Sequence, residues 1–140
     1  MGNKSRATTL GRVGMSIRNV VGVHRTPHIL FVCGRNQWRG STAVQIYKND
    51  NRIDVRSAGM SEKSKHVLSA EDITWADLIL VMENRYKTRI LEKFHKLSLP
   101  EIANLDIPDE YPYMDAELIE SIQKGVEFYI GRIENRTPRA

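Results

Sequence analysis

Beyond His28, short apolar runs alternate with longer amphipathic stretches, and this rhythm is the tightest constraint on the fold. Ile29-Leu30-Phe31-Val32-Cys33 and Leu78-Ile79-Leu80-Val81-Met82 are apolar at every position. A strand with no polar face must be covered on both sides, which is the condition of strands in a parallel sheet. Ile53-Asp54-Val55-Arg56 predicts a second strand ending at a Ser57-Ala58-Gly59 turn, and Ile102 to Leu105 a fourth. Helical stretches lie between them. Ser41 to about Asn49 puts Val44 and Tyr47 on one face, and Tyr86, Ile90, Leu91 and Phe94 form another stripe. Ser69-Ala70-Glu71-Asp72 has the form of a capping box, which starts a short helix. A last helix begins near Asp115, an N-cap by type. It carries Leu118, Ile119, Ile122, Val126, Tyr129, Ile130 and Ile133 on one continuous apolar face. The order predicts an α/β fold, a three-layer sandwich with a four-stranded parallel sheet flanked by helices.

At 140 residues, 41% of them apolar, the chain has the size of one domain. Residues 1–27 differ from the rest and read as a basic N-terminal extension to a domain spanning 28–140. They are rich in Gly, Arg, Ser and Thr, with apolar residues clustered at Val20, Val21 and Val23. Two readings stay open: a loosely attached extension, or an Arg-rich, acid-free targeting or anionic-surface segment. Gly2 invites myristoylation, but Arg6 stands where that motif needs Ser or Thr. Met15 is a possible alternative start. Residues 1–49 carry eight basic residues and no acidic one. The five before His28 more than account for the net charge of +4. The remainder is near neutral, so the charge argues only weakly for nucleic acid. Cys33 is the only cysteine. That excludes an internal disulfide or a cysteine zinc site and fits a reducing, cytoplasmic setting. No segment is apolar for long enough to span a bilayer. His66 and His95 are isolated in sequence and read as surface residues.

Ligands of open parallel sheets bind at the carboxyl ends of the strands. The segment after Cys33, the Ser57-Ala58-Gly59 turn and the Asp106–Asp109 turn all fall there. The first holds the chemistry: Cys33-Gly34-Arg35-Asn36-Gln37-Trp38-Arg39. A loop of this length can wrap its backbone amides around a phosphate, and the helix after it adds a positive N-terminal end. Arg39 supplies a planar fork for two oxygens. A cysteine in that field loses its proton readily and becomes a nucleophile. The plainer alternative is a buried core Cys33 and a solvated Arg39, and spacing alone does not decide between them.

These segments together resemble the low-molecular-weight protein tyrosine phosphatases, in particular a short bacterial branch described as predicted phosphatases. The resemblance covers about residues 28–133. It rests on Phe31-Val32-Cys33 with its cysteine-to-arginine spacing, Asn36 within the loop, and Val55-Arg56-Ser57-Ala58-Gly59. It rests also on Leu68-Ser69-Ala70-Glu71-Asp72 leading into Ala76 through Glu83, and on Leu105-Asp106-Ile107-Pro108-Asp109-Glu110-Tyr111. The resemblance implies hydrolysis of phosphotyrosine proteins or small aryl phosphates through a phosphocysteine on Cys33. Arg39 and the amides of Gly34, Arg35, Asn36, Gln37 and Trp38 would hold the phosphate, and Asn36 would shape the loop. A late-loop aspartate would protonate the leaving group. The family acid is followed two residues later by an aromatic. That favours Asp109, which precedes Tyr111 at that offset, over Asp106, which precedes Pro108. Tyr111 and Tyr113 would flank an aromatic substrate, with plain loop packing as the alternative. No metal or cofactor is implied.

Three departures from the family stand out. Gly40 replaces the usual serine after the arginine, with Ser41 and Thr42 next in line. Arg35 replaces a common glycine, either adding charge over the phosphate or pointing to solvent. Trp38 replaces a second cysteine and is expected to pack under the loop. The departures leave open a non-catalytic phosphate-binding or interaction module. Arsenate reduction is a further alternative and would need an external thiol. The oligomeric state is not legible in the sequence.

Overall fold

The computed structural model describes residues 25–35 and 38–136. Most of the 1–27 extension, and Asn36 and Gln37 of the loop, lie outside the described residues. Four parallel strands form one sheet: β1 (His28–Cys33), β2 (Asp54–Gly59), β3 (Leu78–Val81) and β4 (Glu101–Asn104), in the order β2-β1-β3-β4. The helices are α1 (Arg39–Tyr47), α2 (Ala70–Trp75), α3 (Asn84–Lys93) and α4 (Ala116–Arg136).

Side chains alternate across each strand, so the apolar runs split into two cores. Ile29, Phe31, Cys33, Leu78 and Leu80 pack with Ala43 and Tyr47 of α1 and Leu118, Ile122, Val126 and Ile130 of α4. Leu30, Val32, Ile79 and Val81 pack with Ile73 of α2 and Tyr86 and Ile90 of α3. This is the expected three-layer sandwich. No helix among the described residues is long and apolar enough to cross a membrane.

The predicted boundaries hold at β1, at the Ser69 capping box and at α4. Asp115 accepts from the amides of Glu117 (2.9 Å) and Leu118 (3.3 Å), the expected N-cap contacts. Three expectations need correction. Ser57-Ala58-Gly59 is no turn: β2 runs through it, with Ser57 opposite Phe31 and Gly59 opposite Cys33. Glycine is required at 59, where a Cβ would overlap Ser64 Oγ and lie 2.8 Å from the Arg35 carbonyl carbon. The first helix starts at Arg39, not Ser41, with no side-chain cap. Leu91 lies just past the buried stripe of Tyr86 and Ile90 and is 45% exposed.

The amino-terminal end of the sheet has its own cluster. The His28 ring stacks on Trp75 at 4.4 Å, and the Arg56 guanidinium lies 4.2 Å from the centroid of the same Trp75 ring. His28 Nδ1 lies 2.9 Å from the Trp75 carbonyl, so the neutral ring donates there. Burial lowers the His28 pKa below its ordinary value, aided by Arg25; the Trp75 carbonyl and the carboxylates of Asp77 and Asp54 oppose this without reversing it. The unfolded chain therefore takes up a proton near pH 6.5 that the folded chain resists. The sign follows: this group costs the fold stability as pH falls from about 7 to 5. Melting temperatures of wild type and His28→Gln across that range check it. The wild type should lose more on acidification, and parallel curves would exclude the effect.

Candidate active site

The end of β1 delivers Cys33, which is buried, and the chain then leaves the sheet. The segment after β2 holds the start of the loop from one side. Met60 N–H donates to the Cys33 carbonyl (2.9 Å) and Ser61 N–H to the Gly34 carbonyl (2.7 Å), with Ser64 Oγ also near the latter (3.4 Å). Described peptides are all trans. In a trans peptide the next amide points opposite to the carbonyl. The N–H groups of Gly34 and Arg35 therefore face away from that segment, as an anion cradle requires.

Arg39 closes the loop as the first residue of α1, and it is only 3% exposed. Its Nη1 donates to Glu83 Oε2 (2.7 Å) and to the Ile107 carbonyl (2.8 Å). Its Nη2 reaches the Tyr86 hydroxyl at 3.4 Å, and its Nε lies 3.7 Å from Asp109 Oδ1. One guanidinium thus ties together the carboxyl ends of β1, β3 and β4. Burial opposes its charge, but the hydrogen bonds to Glu83 and Tyr86 and the Asp109 charge outweigh burial and raise its pKa further. Burial pushes the Glu83 carboxyl up, yet Arg39 and Arg85 together hold it below its ordinary value. Both partners are ionised at neutral pH. A solvated Arg39 is excluded.

The two candidate acids part here. Asp109 is exposed but sits beside Arg39. Asp106 occupies a left-handed turn (φ 57°), its N–H bound to Asn104 Oδ1 at 2.8 Å, and its side chain is exposed. That is the turn role open to an aspartate. Tyr111 is half-buried against the Cys33 core, and Tyr113 is 48% exposed. Arg35 is exposed. Trp38 contradicts the expectation that it packs under the loop: it is 43% exposed. The space it was assigned is filled by Tyr86, 2% exposed, which rises from α3. Of the two hydroxyls after Gly40, that of Thr42 has an acceptor role. It accepts from Met114 N–H at 2.9 Å and so pins α1 to the far end of the Asp109 loop.

Glu83 and Tyr86 were not singled out as site residues from the sequence, and Thr42 was weighed only as a substitute hydroxyl for the missing serine. For Glu83 a signal existed: an acidic residue directly after the buried run Leu78–Met82, at a strand's carboxyl end. Tyr86 and Thr42 look like ordinary core positions on their helices.

No protein-family model matches the chain, and no curated protein matches it by sequence. Solved structures do match it. YwlE arginine phosphatase from Geobacillus stearothermophilus superposes with a TM-score of 0.57 at 24% identity, over 79% of this chain and 92% of that one. SP-PTP, a low molecular weight protein tyrosine phosphatase from Streptococcus pyogenes, superposes with a TM-score of 0.65 at 16% identity, over 77% and 93%. A thioredoxin-dependent arsenate reductase from Corynebacterium glutamicum gives 0.53 at 17% identity, over 78% of this chain and 62% of its own. The chain therefore has the fold expected from its sequence, that of the low-molecular-weight protein tyrosine phosphatases.

Proposed function

We propose that the protein is a cysteine-dependent phosphatase that hydrolyses phosphomonoesters, with phosphotyrosine proteins or small aryl phosphates as the substrate class. The observation that carries this is the buried Arg39, held by Glu83 and the Ile107 carbonyl at the mouth of a loop whose first amides are turned one way. A buried arginine already neutralised by a carboxylate needs no anion for stability. It is placed for one.

The reaction runs in two displacements. The Cys33 thiolate attacks phosphorus, the P–O bond to the substrate breaks, and the Asp109 carboxylic acid gives its proton to the leaving oxygen. Water then attacks the phosphocysteine, the P–S bond breaks, and the Asp109 carboxylate takes the water proton. Inorganic phosphate and the thiolate are the products. Arg39 and the loop amides of residues 34–39 bind the equatorial oxygens in both steps, and Tyr111 lines the approach. The setting is cytoplasmic, where a thiolate stays reduced. The fold is shared with enzymes named for tyrosine phosphate, arginine phosphate and arsenate. With Cys33 as the only cysteine, reduction of arsenate has no second thiol in the chain to relay oxidation.

Turnover of p-nitrophenyl phosphate by the wild-type protein tests the proposal. Hydrolysis that is blocked by vanadate is the expected result. Phosphate binding without turnover would leave the non-catalytic module as the answer.

The Thr42–Met114 contact gives a further prediction. Thr42→Val keeps the shape and leaves the Met114 N–H without its acceptor, at a cost of about 1 kcal/mol in stability. The Asp109 loop then loses one of its anchors, so turnover should fall ~3–10-fold, in line with that energy. The loss should be larger for alkyl than for p-nitrophenyl leaving groups, since only the former depend strongly on the acid. Chemical denaturation and paired kcat measurements read both effects.

A further inference from the structure

We propose that Tyr86 is a positioning residue for Arg39, and that Gly34 is glycine because the Tyr86 hydroxyl occupies the place of its Cβ. The part of this that concerns turnover rests on the phosphatase reading.

The Tyr86 ring belongs to the core beneath α3, but its hydroxyl emerges at the loop. There it accepts from Arg39 Nη2 (3.4 Å) and from Arg85 Nη2 (3.1 Å), and it lies 3.5 Å from Glu83 Oε2, to which it donates. One donor and two acceptor capacities are thereby engaged. Arg85 Nε in turn donates to Glu83 Oε1 (2.9 Å). The four side chains form a closed ring under the loop, with two guanidinium groups alternating with a carboxylate and a phenol. Within it, Arg39 Nη1 is taken by Glu83 and Ile107, and Tyr86 fixes one edge of Nη2. What remains is the side-on fork of Nε and Nη2, which Asp109 Oδ1 faces 3.7 Å from Nε, beyond hydrogen-bond length, and that fork is the geometry that grips two oxygens of a phosphate.

The second observation is steric. A Cβ built on Gly34 would lie 2.7 Å from the Tyr86 hydroxyl oxygen, whereas the next atom, Cζ, is 3.5 Å away. Gly34 does not adopt a left-handed backbone, so conformation alone would permit alanine. Only the hydroxyl forbids it. Position 34 and position 86 are therefore one choice: a phenol beneath the loop, and no side chain above it.

The test is a double-mutant cycle of Tyr86→Phe and Gly34→Ala in the full-length protein, read by inorganic phosphate titration, p-nitrophenyl phosphate kinetics and melting temperature. Tyr86→Phe should keep the fold, weaken phosphate binding and lower kcat/KM by about 10–150-fold, the range of one hydrogen bond to a charged group. Gly34→Ala should lose more, because the methyl displaces the hydroxyl and, with it, Arg39. The double variant should bind phosphate better and melt higher than Gly34→Ala alone, since the methyl then meets only an ordinary carbon contact. Additive or worse losses in the double variant would overturn the matched pair. Unchanged phosphate affinity in Tyr86→Phe would overturn the positioning role. A wild type that binds phosphate but turns nothing over would sink the phosphatase reading, and the cycle would still be decided by binding and melting. A wild type that binds no phosphate would remove the anion site, and the role of Tyr86 with it.

Discussion

Cys33→Ser is expected to bring aryl phosphate hydrolysis down to the uncatalysed background while phosphate or vanadate still binds. The serine hydroxyl fits the space of the thiol but stays protonated at neutral pH, so the nucleophile is lost and the cradle is kept. Arg39→Lys should also fail, by ~10²–10³-fold, since an ammonium is a point charge where a fork is needed. Lysine cannot hold Glu83 and the Ile107 carbonyl while also reaching a phosphate. The arginine variant should therefore lose anion affinity, and the serine variant should not. Steady-state turnover and phosphate titration on both proteins separate the roles. Undiminished turnover in Cys33→Ser would end the mechanism.

The second large effect concerns the acid. Asp109→Asn should slow hydrolysis by ~10²–10⁴, the range for a positioned proton donor. Asp106→Asn should cost far less in turnover, because Asp106 serves a left-handed turn and asparagine tolerates that backbone well. The Asp109→Asn loss should shrink as leaving groups become better. A Brønsted series of phenyl phosphates measures this. A steeper dependence on leaving-group pKa in Asp109→Asn than in wild type supports the role, and the reverse ranking of the two variants would transfer it to Asp106.

The sheet was legible because its central strands are apolar on both faces. Ile29 through Val32 and Leu78 through Met82 admit little else than a covered parallel sheet. That Cys33 and Arg39 meet at the carboxyl end of the sheet was legible because each flanks a short loop between a buried strand and a helix. The extent of β2 was less so: Ser57-Ala58-Gly59 has the composition of a turn, and only its partners Phe31, Val32 and Cys33 make it strand. Trp38 misled for a related reason. A large aromatic beside a loop is expected to fill space, but the space was already filled by Tyr86, 48 residues further along the chain. Glu83, Tyr86 and Thr42 act on the site through contacts across the fold. No local pattern distinguishes Tyr86 and Thr42 from neighbours on the same elements, and Glu83 carried only its place after a buried run.

The strands are parallel, so the domain has two unlike poles. Cys33, Arg39 and Asp109 stand at the carboxyl pole. The chain before β1 is fastened at the other: the Pro27 carbonyl accepts from Asp54 N–H (2.9 Å), and Arg25 pairs with Asp77 (2.8 Å), just ahead of β3. A six-residue strand, roughly 20 Å long, separates the two ends. Residues 25–27 thus enter β1 at the pole opposite Cys33, Arg39 and Asp109. A contact made at residues 25–27 leaves the carboxyl pole uncovered, so the two ends of the sheet can be engaged independently.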